Sequence, residues 1–376
     1  MGVSNALNIN DLRTLAKKRL PRMVFDYIDG GADDEQTLRH NTQRFRDRAL
    51  LWNVLVNVAD IDLSTRVMGM DLPLPIILAP TAAQRLFHPH LGELATARAA
   101  NRHGVAYGVS TLATQTLEDI ADIHPGPKIF QLYVWKDRSL LEGILERAKA
   151  AGYTGLVLTV DLPVMGNRER DPRNGFCVPV QLNTKTIAQA LARPGYLIDL
   201  MRGGPAVPAN FNTADNKDAL DRGNGRFDPS ISWEYLTWLR DQWDGPLGLK
   251  GLSRPDDARR ALDAGVDTIW ISNHGGRQLD TCPATIDTLG PIAKAVNGQA
   301  EIILDGGIRR GTDIIKALAL GADAVAVGRA YLYGLAAGGE AGVSRAIEIL
   351  STETRRGMEL MGRRSLKELR AEDVVG

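Results

Sequence analysis

One junction recurs along this chain and decides what it can fold into. A helix-like stretch closes on small residues, a glycine follows, and a short apolar run comes next. It reads Ala100-Asn101-Arg102-His103-Gly104 before 105–109, Ala150-Ala151-Gly152 before 156–160, Asp263-Ala264-Gly265 before 268–271, and Ala319-Leu320-Gly321 before 324–327. Glycine takes the left-handed conformation that ends a helix without the Cβ penalty other residues meet. Helix then buried strand, repeated, implies parallel strands joined by helical crossovers. Apolar runs at 76–79, 105–109, 129–132, 156–160, 247–250, 268–271, 301–304 and 324–327 supply eight strands. Eight such strands, each followed by a helix, predict a TIM (β/α)8 barrel spanning about 76–340. A doubly wound open sheet would need Gly-x-Gly-x-x-Gly after its first strand, and this chain has Pro80-Thr81-Ala82-Ala83-Gln84 there.

Two regions lie outside the repeat. Over 10–29, Leu12, Leu15, Ala16, Leu20, Val24, Phe25 and Ile28 recur at helical spacing, with Asn10 or Asp11 as N-cap. Pro21 splits this stretch into two helices, and Asp29-Gly30-Gly31-Ala32 ends the second. Residues 161–246 separate strands four and five, far more than an ordinary connection. Within them, 172–228 reads as a long loop or lid, and 187–201 is mildly amphipathic, broken at Pro194-Gly195 and flanked by Lys185, Arg193 and Arg202. A mobile lid, a subunit contact and a membrane-surface patch all fit that composition. After Asp228-Pro229, Trp233, Leu236, Leu239 and Trp243 restore the core period of a helix.

The whole of 1–376 is expected to be a single domain, 44% hydrophobic and 24% charged with net charge +0, which gives no electrostatic reason to expect nucleic acid. Cys177 and Cys282 are the only cysteines, so there is no disulfide framework and no zinc pattern. No signal peptide or spanning segment is expected, and Ala6 breaks the myristoylation pattern, so a cytoplasmic location is the simplest expectation. His88 and His90 flank Pro89 with no third ligand and are expected at the surface, with no metal site.

Barrels of this kind carry their chemistry at the C-terminal ends of the strands. Those ends yield Thr81; Ser110 and Thr111; Gln131 and Tyr133; Thr159, Asp161 and Arg168; Lys250; His274 and Arg277; Asp305, Gly306, Gly307 and Arg309; and Gly328 with Arg329. In Ser272-Asn273-His274-Gly275-Gly276-Arg277-Gln278-Leu279-Asp280 a base that titrates near neutrality and a carboxylate-binding fork stand three residues apart. Arg277 and Arg168 can clamp a carboxylate, with His274 as base and Asp161 as the partner of the imidazolium. Lys250 is suited to a developing anion, or to an ion pair with a neighbouring carboxylate. The glycines and arginines after strands seven and eight suit a phosphate of a cofactor or substrate. From these residues alone a redox enzyme, a phosphate-binding isomerase or aldolase, and a silent binding protein all stay open. Tyr27, at a helix end, is as consistent with a core aromatic.

The 272–280 string, with Gln131-Leu132-Tyr133, Leu158-Thr159-Val160-Asp161, the run 304–311 and Val327-Gly328-Arg329, resembles the FMN-dependent L-2-hydroxy acid oxidases and dehydrogenases, a family that includes glycolate oxidase, L-lactate dehydrogenase and (S)-mandelate dehydrogenase. The resemblance runs from about residue 12 to about 366. It implies FMN as cofactor and His274 as the group that removes a proton as the substrate C2–H bond breaks. It implies Asp161 stabilising protonated His274, Arg168 and Arg277 on the substrate carboxylate, and Tyr27 and Tyr133 as substrate hydrogen-bonding groups. Flavin contacts would come from Pro80, Thr81, Ala82, Ser110, Gln131, Thr159, Lys250 and Ser272. The ribityl and phosphate would fall to Asp305, Gly306, Gly307, Arg309, Gly328 and Arg329. The resemblance also implies a small 2-hydroxy acid substrate, a quinone or O2 as electron acceptor, and a homotetramer. The segment 172–211 is similar to the membrane-associated dehydrogenases and implies peripheral contact with the inner face of the cell membrane. Ala82, where those dehydrogenases carry glycine, is more like the oxidases, and Leu112 stands where glycolate oxidase has tryptophan.

Overall fold

The computed structural model describes residues 2–133, 135, 138–176, 184–204, 206–210 and 228–376. Its centre is a closed eight-stranded barrel. The strands are Ile76–Leu78, Ala106–Ser110, Lys128–Leu132, Gly155–Thr159, Leu247–Leu252, Thr268–Ile271, Glu301–Asp305 and Ala324–Val327, numbered one to eight below. Every neighbouring pair is parallel, and strand eight closes on strand one through Val325 opposite Ile76. The glycines expected to stop the preceding helices do so: Gly104, Gly152, Gly265 and Gly321 all have φ between +64° and +110°.

Strand alternation sorts the barrel into an interior and a shell. Ile77, Ala106, Ile129, Val157, Trp270, Ile303 and Ala324 form an inner apolar cluster. Their strand neighbours, such as Leu78, Phe130, Leu158, Ile271 and Leu304, pack outward against the helices. Two residues beyond the inner apolar layer, on the same face of each strand, come Gln131, Thr159, Ser272 and Asp305. The interior is thus apolar low down and polar at the mouth.

The bottom is plugged by an element that the apolar runs do not reveal. A hairpin, Thr65–Val67 paired antiparallel with Met70–Leu72, sends Val67, Met68, Met70 and Leu72 into the inner cluster. A Cβ on Gly155 would lie 2.8 Å from Met68 Cε, so that strand start must be bare.

The N-terminal stretch folds as two helices, Ile9–Arg19 and Arg22–Asp29, divided at Pro21 as expected. The N-cap is Asn8, not Asn10 or Asp11: its side chain accepts from Asp11 N at 3.0 Å. The first helix packs on the long C-terminal helix Arg329–Met361, which loses helical geometry at Gly338 and Gly339.

The amphipathic piece forms two helices, Thr184–Leu191 and Pro194–Gly203. They dock on the N-terminal pair: Met23 N donates to Gln189 Oε1 at 2.8 Å, Arg193 Nε donates to Leu20 O at 3.1 Å, and Arg19 pairs with Asp199. Most of the remaining loop, including Cys177, Gly223 and Gly225, lies outside the described residues. One surface expectation fails: His88 is buried beside Gly339, and only His90 is exposed. Among the described residues no group of His, Cys, Asp and Glu is arranged to hold a metal ion.

Candidate active site

The barrel mouth opens into a cleft of 520 Å³. Polar strand ends line its floor and the arms around the barrel line its walls. Lining residues from the sequence reading are Tyr27, Pro80, Thr81, Ala82, Gln131, Tyr133, Thr159, Arg168, Lys250, His274, Arg277, Asp305, Gly306, Gly307, Arg309, Gly328 and Arg329. Asp161, Ser110 and Ser272 do not line the cleft themselves.

His274 is held firmly. Its backbone is left-handed, φ +55°, unusual for a residue with a side chain and a mark of a position held by its surroundings. Its amide donates to Ser272 Oγ at 3.1 Å, and its Nδ1 lies 3.0 Å from Asp161 Oδ1. With Nδ1 engaged, Nε2 remains for a substrate proton. Burial pulls the imidazole pKa below its ordinary value; Asp161 opposes that, while Lys250 and Arg168 add to it. The ring is therefore neutral, a usable base, at neutral pH. The reverse holds for Asp161: burial raises its carboxyl, but its electrostatic pairing and hydrogen bond with His274, together with the Lys250 charge, more than offset this and hold it low. Among the described residues Asp161 Oδ2 is buried without a hydrogen-bond partner.

Ser272 joins two halves of the site. Its hydroxyl donates to Asp305 Oδ1 at 2.7 Å and accepts from Lys250 Nζ at 2.8 Å, besides taking the His274 amide. Lys250 also reaches Asp305 Oδ2 at 2.9 Å, so it does make the ion pair with a neighbouring carboxylate. Trp270 Nε1 donates to the same oxygen at 2.9 Å. Gln131 Nε2 donates to Thr159 Oγ1 at 2.9 Å across strands three and four.

On the cationic side Asp171 lines the cleft within electrostatic reach of both Arg277 and Arg168. Arg168 Nη2 donates to Gln278 Oε1 at 3.1 Å. Arg277 Nη1 donates to the Tyr27 and Gly30 carbonyls, and its guanidinium carbon stands 4.8 Å from the Tyr27 ring centre. Burial and the nearby Arg168 charge bring the Arg277 pKa down to about 9, which still leaves a cation at neutrality. Two half-buried guanidiniums facing one cleft form a site for an anionic group.

The loops after strands seven and eight fit a phosphate. Gly307, at φ +90°, could not carry a Cβ, which would fall 1.9 Å from Asn41 O. Among the described residues the Gly307 and Ile308 amides find no protein acceptor, and the Arg309 side chain bonds only the Ile308 carbonyl, through Nη1 at 2.8 Å. Arg329 differs: its guanidinium donates to the carbonyls of Ile28, Gly275 and Gly30, at 2.8, 2.8 and 2.7 Å.

Several lining residues have no signal in the motif strings. Phe87, Trp135, Leu162, Met165, Phe176, Ala206 and Pro208 build the apolar wall. Tyr27 packs against Phe176 in a tilted arrangement, ring centres 4.7 Å apart. Gln278 was in view, one residue past Arg277. Its Nε2 donates to Val164 O at 2.9 Å while its Oε1 takes Arg168, so it ties the 164–168 loop to the histidine loop.

A barrel mouth with a His–Asp pair, a cationic clamp and a glycine-lined phosphate cradle defines an enzyme-like site for an anionic substrate beside a phosphorylated group. Comparison with known proteins makes the class specific: residues 16–375 match the FMN-dependent dehydrogenase family, and the chain belongs to it. It is 45% identical over 371 residues to an L-lactate oxidase of a Nostoc species, covering 98% of this chain and 97% of that protein. It is 42% identical over 371 residues to an L-lactate dehydrogenase of Pseudomonas aeruginosa, covering 97% of each. Among solved structures, the monotopic membrane protein (S)-mandelate dehydrogenase superposes with a TM-score of 0.95 at 37% identity, covering 99% of both chains. The cofactor is FMN; the Gly307 and Ile308 amides and Arg309 are donors that fit its phosphate, and Lys250, paired with Asp305, supplies positive charge that fits its ring.

Proposed function

We propose that this protein oxidises an L-2-hydroxy acid, lactate or mandelate-like, to the 2-oxo acid and passes the electrons to a quinone-type respiratory acceptor. The observation that carries this is the meeting, in one cleft, of the neutral His274–Asp161 base and the Arg168–Arg277 cations. FMN, when bound, accepts the two electrons. Arg277 and Arg168 hold the carboxylate, and Tyr27 and Tyr133 hydrogen-bond the substrate. His274 Nε2 takes the proton released as the C2–H bond breaks, and Asp161 stabilises the imidazolium. Lys250 supplies positive charge beside the cofactor, and Gly307, Ile308, Gly328 and Arg309 hold its phosphate. The apolar wall of Leu112, Trp135, Leu162, Met165 and Phe176 suits a substrate side chain as large as phenyl.

The test is anaerobic bleaching of the flavin absorbance by L-lactate, L-mandelate and acids of intermediate size. Full bleaching by at least one is expected; none by any would overturn the reading. A second reading, an oxidase that makes H2O2, is favoured by Ala82 at the cleft and by the Nostoc relative's name. Rapid peroxide production in air, unchanged by an added quinone, would establish it over the dehydrogenase.

The same proposal places the protein on the inner face of the cell membrane. Among the described residues no helix is long and apolar enough to cross a membrane. Ile187, Leu191, Ile198 and Met201, exposed by 44%, 63%, 46% and 72%, provide a surface for peripheral contact. A homotetramer is part of this reading, supported by the exposed apolar run of Leu51, Trp52, Val54 and Leu55. Vesicle flotation of a variant with Ile187, Leu191 and Met201 changed to serine, and sedimentation of the native protein, test the two statements.

A further inference from the structure

We infer that Arg329 is a positioning residue for substrate oxidation and not a side-chain ligand of the cofactor phosphate. The inference rests on the 2-hydroxy acid reading above. Arg329 begins the helix after strand eight, beside Gly328, where a phosphate-binding cation would be looked for. Its fork is turned elsewhere. Nε donates to Ile28 O, Nη2 to Gly30 O and Nη1 to Gly275 O. Ile28 and Gly30 stand at the end of helix Arg22–Asp29, where carbonyls have no partner within the helix and the dipole favours a cation. Gly275 follows the base His274.

One guanidinium therefore bonds the segment that carries Tyr27 to the loop that carries His274 and Arg277. Other contacts converge on this seam. Gly30 O also accepts from Arg277 Nη1 at 3.2 Å, and Ala32 N donates to Gly276 O at 2.9 Å. The fit is tight: a Cβ on Gly275 would sit 2.6 Å from Arg329 Nη1, and one on Gly31 would sit 2.7 Å from Gly276 O. For its guanidinium to turn to a phosphate, Arg329 would have to abandon three carbonyls. Arg309, whose Nε and Nη2 have no protein partner among the described residues, needs no such exchange. A lysine cannot replace Arg329, because a single ammonium lacks the planar fork that spans carbonyls on two segments.

The experiment uses FMN-saturated holoenzyme of the native protein, Arg329→Gln and Arg329→Lys, with whichever 2-hydroxy acid bleaches the native flavin. FMN dissociation constants are read by fluorescence, and kcat and KM by steady-state turnover. Expected are an FMN dissociation constant within about twofold of native, a kcat/KM lower by about 100-fold with both KM raised and kcat reduced, and no rescue by lysine. A rise of tenfold or more in the FMN dissociation constant overturns the inference, whatever the rate. So does native-like kcat/KM in either variant. Should Arg329→Gln not fold, Arg329→Lys alone decides by the same criteria. Failure of the underlying 2-hydroxy acid reading would show separately, as a native protein that no acid bleaches.

Discussion

The Asp161→Asn variant isolates what a buried carboxylate does for the base. Asparagine keeps an oxygen that can accept from His274 Nδ1 and removes only the charge. At the observed 3.0 Å separation, opposite unit charges in an effective dielectric of about 20 attract by roughly 5–6 kcal/mol. The His274 and Asp161 side chains are 19% and 12% exposed, and the imidazolium is only partly formed when the proton moves, so about half of this, ~3 kcal/mol, is the working figure. That corresponds to a loss in kcat/KM of about two orders of magnitude. The same missing attraction must show in the pH profile. His274 acts when unprotonated, so kcat/KM rises with pH through its pKa and then levels; in the native enzyme that limb lies below the ordinary 6.5, because burial already lowers it. Without Asp161 the protonated form loses its support, and the limb moves to still lower pH. The assay is kcat/KM from pH 4 to 9 with flavin-saturated enzyme. A limb that stays in place or moves upward, or a rate loss under about fivefold, refutes the electrostatic role of Asp161.

Three other perturbations follow from the same geometry. His274→Gln is expected to keep the yellow colour and lose turnover by about 10²–10⁴-fold; near-native turnover would refute its role as base. Gly307→Ala must push a methyl into Asn41 O, 1.9 Å away, at φ +90°, so FMN retention on gel filtration should weaken by about tenfold or more. Asp29 pairs with Arg13 at 2.6 Å and accepts from Tyr333 OH at 2.8 Å. Burial raises the Asp29 carboxyl, but these bonds prevail and hold its pKa below the ordinary range. Its stabilisation is therefore present above the unfolded value near 3.9 and disappears as pH falls through the folded one. Asp29→Asn should cost about 2 kcal/mol in urea unfolding at neutral pH, with the deficit shrinking in acid; a deficit independent of pH would exclude the ion pair as its source.

The parts of the fold that came through in the sequence are those fixed by local chemistry. Four helix-stopping glycines and eight apolar runs define the barrel because a left-handed turn and a doubly buried strand each demand particular residues. What the runs hide is their phase. Ile129-Phe130-Gln131-Leu132 is almost uniformly apolar, and only the closed sheet shows that Ile129 and Gln131 share the inner face while Phe130 points to the shell. The plug at Thr65–Val67 and Met70–Leu72 is missed because strands of three residues carry too few positions for a period. His88 misleads because burial there comes from Gly339, far away in sequence. In the site, His274, Asp161 and the arginines are legible as strand-end residues. Phe176 and Trp135 are not, because an apolar residue in a loop looks alike whether it lines a cleft or packs against a helix.

That division has a physical source. The groups proposed to handle protons and the cofactor sit at rigid strand ends, and Ser272 binds them into one cluster, touching Lys250, Asp305 and the His274 amide at once. A shift of any one would disturb the others, so this half of the site admits few arrangements. The half proposed to meet the substrate side chain is built from Leu112, Trp135, Leu162, Met165 and Phe176, all on connections leaving the barrel. Exchanging one of these apolar residues for another changes the width of the wall and leaves the bonds around Ser272 intact. On the proposed function, the choice between a small and a large 2-hydroxy acid should therefore follow the volume of these wall residues, not the identity of the groups at the strand ends.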